Sequence, residues 1–169
     1  MSRPKVGAIG VLIFVSFILD GVAVFTPGWI TVSATYLGYT ISDSAGLIPY
    51  SSNEVAWFAA SSWMMFISFG LFFPLLLVYL RTGFKIRHDD CYHSIRHSFH
   101  AISFLSSIIT ILIAVSFTLM AINVPGSAWN QYGSANANLG YSAYLALSSA
   151  ILLCCASLIS SHVARRHCH

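Results

Sequence analysis

Histidine and arginine crowd one stretch of the chain, His93-Ser94-Ile95-Arg96-His97-Ser98-Phe99-His100, with His88 just before it. On a helix His93, His97 and His100 share one side. Imidazoles so spaced can ligate iron or zinc, as in the membrane hydroxylases and desaturases with cytoplasmic histidine boxes. The set is thin for that chemistry. A diiron centre needs more ligands in paired boxes, and the only acids nearby are Asp89 and Asp90. Histidines beside arginine at an anionic surface are more simply explained as headgroup-level residues. No Ser/His/Asp set, paired carboxylates or phosphate-cradling glycine loop is visible, and the abundant serines fall in apolar runs, where they bond back to helix carbonyls. The reading is therefore a non-enzyme without cofactor, resident metal or catalytic residue; a histidine-box metalloenzyme is an alternative.

The elements that would position these groups are membrane helices. Of 169 residues, 57% are hydrophobic and 8% charged, and the mean hydropathy is +0.76; a soluble domain could not cover itself with so few charges. Four apolar runs, about 6–25, 55–80, 99–123 and 139–163, each approach the ~20 residues that a spanning helix needs. The outer loops are then 26–54 and 124–138, the cytoplasmic connector is 81–98, and the chain is one four-span domain. Arg3 and Lys5 precede the first run as in a signal peptide. It is long for that role and lacks a small-residue cleavage site before Pro27, so we read it as a span.

Orientation follows from charge. The eight Lys and Arg residues are Arg3, Lys5, Arg81, Lys85, Arg87, Arg96, Arg165 and Arg166, none of them in an outer loop. The positive-inside rule puts both termini and the connector in the cytoplasm of a multi-pass plasma-membrane protein. The net charge of +3 thus reflects topology and contact with the lipid bilayer, and excludes nucleic acid as the partner. Of the four cysteines, Cys91 and Cys168 fall near the cytoplasmic surface as candidates for acylation, whereas Cys154 and Cys155 lie within the fourth span. No cysteine is left for an outer disulfide, and the chain has no Asn-x-Ser/Thr sequon.

At Thr26-Pro27-Gly28-Trp29-Ile30 the first helix must stop, and strand-like alternation runs on through Tyr36. Trp29 is expected at the outer headgroup level. Gly38 permits a turn, Tyr39 to Ser42 can pair back, and Asp43-Ser44-Ala45-Gly46 reads as a second turn. A small antiparallel sheet results, on which Trp29, Tyr36, Tyr39 and Tyr50 are candidate partner contacts. The second outer loop is expected to anchor through Trp129 and Tyr132. Pro74 should bend the second span without ending it. Asp20, alone among the acids within a span, should face the bundle and hydrogen-bond to neighbouring helices, with an ion or partner contact as the functional alternative. Ser142, Ala146 and Ala150, continued by Ala156, Ser160 and Ala164, form a small-residue seam for close packing within a bundle; such seams also mediate dimers.

These features resemble the claudin, peripheral myelin protein and epithelial membrane protein superfamily. The Trp29 segment matches the family's tryptophan after the first span, Gly46-Leu47-Ile48-Pro49-Tyr50 occupies the place of its Gly-Leu-Trp signature, and Leu139 to Leu147 is similar to its glycine and aromatic opening of the fourth helix. Ile48 replaces the signature tryptophan, Ser51 and Ser52 follow where the family's disulfide cysteines would begin, and the first outer loop is short. The pattern fits a divergent claudin-like protein of the invertebrate, nematode kind. The resemblance implies an all-α membrane protein, a left-handed four-helix bundle capped by a small extracellular antiparallel sheet. It also implies work through contacts with other membrane proteins.

Function is then read as lateral protein contact. The missing disulfide and short loop favour an auxiliary subunit of a channel or receptor over a cell–cell adhesion or junction component contacting itself. A transport pore is disfavoured, since only Asp20 and Pro74 interrupt the apolar spans.

Overall fold

The computed structural model describes residues 3–36, 39–48, 55–88, 92–124 and 135–166. In chain order the elements are α1 (Arg3–Phe25), β1 (Ile30–Tyr36), β2 (Tyr39–Ala45), α2 (Ala56–His88), α3 (Tyr92–Asn123), β3 (Ala135–Leu139) and α4 (Tyr141–Arg166). All four helices are long and apolar enough to cross a membrane, and a helix is the form in which a spanning chain satisfies its own backbone. Lipid-facing side chains such as Phe14, Leu77, Ile111 and Leu158 are exposed, whereas Ile13, Met65, Phe72, Ile109 and Leu153 meet in the core.

Two boundaries differ from the hydropathy reading. The connector expected over 81–98 is largely helical, because α2 continues to His88 and α3 begins at Tyr92; its Arg, Lys and His residues tolerate a helix, and no proline interrupts them. The fourth helix starts at Tyr141 rather than at residue 139, because Leu139 ends a strand. Pro74 lies inside α2, which continues past it.

Serine joins three of the four helix seams, each time as a reciprocal pair of hydroxyl-to-carbonyl bonds. Ser16 Oγ donates to Ser149 O at 3.2 Å and Ser149 Oγ returns a bond to Ser16 O at 2.8 Å, joining α1 to α4. Ser61 and Ser116 make the same exchange between α2 and α3 at 3.4 and 3.1 Å, and Ser103 and Ser157 between α3 and α4 at 3.3 and 3.2 Å. A serine is small enough for backbones to approach and still carries a donor, and such bonds contribute about 0.6 kcal/mol each in a bilayer. Ser142, Ala146 and Ala150 are buried within the bundle, as are Ala156, Ser160 and Ala164.

The α1–α2 seam is built differently. α1 packs less extensively on α2 than on α4, and rings from α2 fill the space. Tyr79 lies over Gly10 and donates to Val6 O at 3.2 Å, while Phe69 lies against Gly21 and stacks on Phe17 with centroids 5.4 Å apart. Asp20 is fully buried and faces the bundle, with the Ser68 hydroxyl of α2 beside it, although neither carboxyl oxygen has a well-formed hydrogen bond among the described residues.

At one end of the bundle lies a three-stranded antiparallel sheet of order β2-β1-β3. The hairpin β1–β2 runs from Ile30↔Ala45 to Tyr36↔Tyr39. The turn expected at 43–46 is not formed within Asp43–Ala45, which pair with β1 as strand. The third strand comes from the segment between α3 and α4, which the sequence reading did not anticipate: Ile30↔Leu139 through Ala34↔Ala135. Trp129 and Tyr132 lie outside the described residues.

Candidate interaction surface

The sheet stands on the Thr26-Pro27-Gly28-Trp29 joint, and the chemistry of Pro27 explains the joint. In a continuing helix the carbonyl of Ala23 would accept the amide of residue 27, but proline has no N–H to give. The indole of Trp29 supplies the missing donor, with Nε1 donating to Ala23 O at 2.6 Å. Trp29 is accordingly enclosed, at 0% exposure. This corrects two expectations, that its ring anchors at the headgroup level and that it contacts a partner. The orphan carbonyl, found by counting four residues back from the proline, was the signal available in the sequence.

The same four residues tie the other segments down. Trp29 N donates to Ala45 O at 3.0 Å, Gly140 N to Trp29 O at 2.9 Å and Ser142 N to Gly28 O at 2.9 Å. Ser142 N is one of the amides at the start of α4 that lack an intrahelical acceptor, so Gly28 O caps the helix. Thr26 Oγ1 and Ser142 Oγ share a further bond at 2.7 Å. Glycine is required where these backbones meet. A Cβ on Gly140 would strike the carbonyl of Gly28, and one on Gly46 would lie 2.6 Å from Pro27 Cα; both obstacles are backbone and cannot swing aside. Neither glycine's role was visible in the sequence, because the contact is between distant segments.

Above the joint the sheet has two unlike faces, set by strand alternation. One carries Ile30 and Val32 of β1 with Ala45, Ala137 and Leu139 beside them, all buried in or packed against the core. The opposite row holds Thr31, Ser33, Ser42, Ser44 and Asn138 in register, hydroxyl and amide groups without charge. Asp43 accepts the Ser44 amide at 2.8 Å, which occupies a donor on β2, a strand with only one neighbour. At the far end of the hairpin Tyr36 is paired with Tyr39. Leu47 is buried and Ile48, in the place of the resembled signature tryptophan, is exposed.

The remaining sequence candidates disperse. Tyr50, Cys91 and Cys168 lie outside the described residues, and Cys154 and Cys155 are free and exposed on α4. His97 and His100 are exposed on α3 and His162 on α4, and the side chain of His93 lies outside the described set. Among the described residues no three His, Cys, Asp or Glu side chains converge as a metal site.

Comparison with individual characterised proteins yields no significant match. The model of one protein family, described as "Tight junction protein, Claudin-like", matches residues 1–169. Four helices long and apolar enough to cross a membrane and a small antiparallel sheet are consistent with a claudin-like four-span fold. The chain belongs to the claudin-like family of tight junction proteins.

Proposed function

We propose that the protein is a non-enzymatic plasma-membrane component that works by lateral contact, as an auxiliary subunit of a channel or receptor, with its sheet outside and both termini in the cytoplasm. The observation that carries this reading is the joint. Four bonds from Thr26, Gly28 and Trp29 fasten the base of the hairpin to β2, β3 and α4, so the sheet is held to the bundle without a disulfide. The hairpin then extends six residues beyond Ile30 to Tyr36, a reach of about 20 Å at strand rise. The hairpin ends in the paired positions Tyr36 and Tyr39, residues of the kind that dominate interface energies, and the strands that lead there carry an uncharged polar row that desolvates at lower cost than charge.

The family description favours a second reading, a junction component that contacts its own kind across apposed cells. Crosslinking with mass spectrometry after gentle detergent extraction separates the two. Recovery of a specific channel or receptor, weakened at least tenfold by Tyr36→Ser or Tyr39→Ser, is the expected result. Recovery of the protein alone, with aggregation of the cells that express it, overturns the auxiliary reading in favour of adhesion.

A further inference from the structure

Pro74 repeats inside a span the problem that Pro27 poses at the end of one. α2 continues through it, so the carbonyl of Gly70, four residues back, loses the amide it would have accepted. At Pro27 the indole of Trp29 supplies the donor, whereas no side chain beside Gly70 on its face of the helix can. Gly70 and Pro74 are exposed together with Ile67, Phe73 and Leu77, side chains that have no N–H or O–H. Ser68, the nearest hydroxyl along the chain, is buried and donates to Met65 O at 2.8 Å. A Cβ added to Gly70 would meet no atom within 4 Å, so the backbone there is open to close approach.

Depth decides what can supply the donor. The apolar part of α2 is Ala56–Lys85, and Gly70 stands fourteen residues from one end and fifteen from the other, about 21 and 22 Å at helical rise. In a hydrocarbon core about 30 Å thick this is the middle. Water is absent there, and the phosphates and hydroxyls of lipids lie at the headgroups. The donor must therefore arrive on another membrane helix. A second copy of this chain is poorly equipped to bring it. Its exposed hydroxyls Ser107, Thr118 and Ser148 donate to carbonyls of their own helices at 2.8, 2.7 and 2.8 Å, the usual fate of a hydroxyl on a helix. Its Asn and Gln residues, at 53, 123, 130, 131, 136 and 138, lie at or beyond the ends of the spans. The thiols of Cys154 and Cys155 are exposed but are weak donors. A side-chain amide has two N–H donors and bonds readily across helices.

We propose that the face of α2 at Gly70 and Pro74 docks a membrane helix of a different protein, whose Asn or Gln amide donates to Gly70 O. This contact deepens the lateral reading on which it rests, with a surface inside the bilayer and separate from the sheet. The probe is a synthetic spanning peptide of leucine and alanine with one central Asn, compared with the same peptide carrying Leu there. Each is titrated at low density against the labelled full chain in phosphatidylcholine vesicles, and association is read by energy transfer. The Asn peptide should bind roughly three- to tenfold more tightly. That preference should vanish in Pro74→Ala, which returns an amide to Gly70 O, and shrink in Gly70→Leu, which fills the open space and is the decisive variant if Pro74→Ala does not fold. Equal binding of the two peptides, or a full preference in either variant, would overturn the site. The peptides have no part outside the bilayer, so that result would leave contact through the sheet standing, and loss of the Tyr36 and Tyr39 effect would leave this one.

Discussion

A proline that ends a helix leaves a carbonyl without its amide, and in this chain the debt falls on Ala23 and is met by Trp29. Replacing Trp29 with Phe removes that donor from a buried acceptor, which costs about 1–3 kcal/mol beyond the loss of packing. Pro27→Ala restores an amide at the position from which Ala23 O would ordinarily be served. The double variant should therefore be more stable than the sum of the two single changes predicts, by ~1 kcal/mol in a thermal or denaturant cycle. Strict additivity would mean that the indole bond contributes only packing. The aromatic-belt rule points Trp29 toward the headgroups, and it is overridden because a specific acceptor lay within reach; the rule averages over tryptophans that have none. Asp20 was legible as an oddity from composition alone, yet its full burial beside Ser68 is set by packing across the α1–α2 seam, which no spacing encodes.

Between elements the decisive contacts are close backbone approaches. Gly140→Ala forces a Cβ against Gly28 O and must separate β3 and α4 from the joint, with an expected loss of several degrees in unfolding midpoint or failure to accumulate. Gly7→Ala, with nothing within 4 Å of its new methyl, should be neutral or gain up to about 1 kcal/mol from helix propensity. Measured together in one detergent, the pair separates steric need from general intolerance of the spans. The helices themselves were readable as apolar runs, and β1 from its alternation through Ile30, Val32 and Ala34. β3 was not. Ala135-Asn136-Ala137-Asn138-Leu139 carries two asparagines and no β-branched residue, so local propensity argues against a strand. It is one because β1 offers an edge and Gly140 lets the backbone close on Gly28. Asp43 and Ser44, residues of turn type, were likewise drawn into β2 by pairing.

For the molecule as a whole, the distribution of charge sets the expected topology. A glycosylation sequon placed in the 125–134 segment should be modified in cells, and one placed after Arg166 should not; the reverse pattern would invert the protein and put the sheet in the cytoplasm. The sheet order has a consequence for biogenesis. β1 is the central strand, and it receives β2 almost as soon as it is made, but β3 follows about a hundred residues later, after two further spans. At about 5–20 residues per second, one edge of β1 stays open for some 5–20 s of synthesis. During that interval the half-built sheet is a template for strands of other nascent chains. Quality control acting on this protein would therefore meet its most vulnerable species before the fourth helix is inserted, and the last helix to arrive, through Gly140 and Ser142, is the one that closes it.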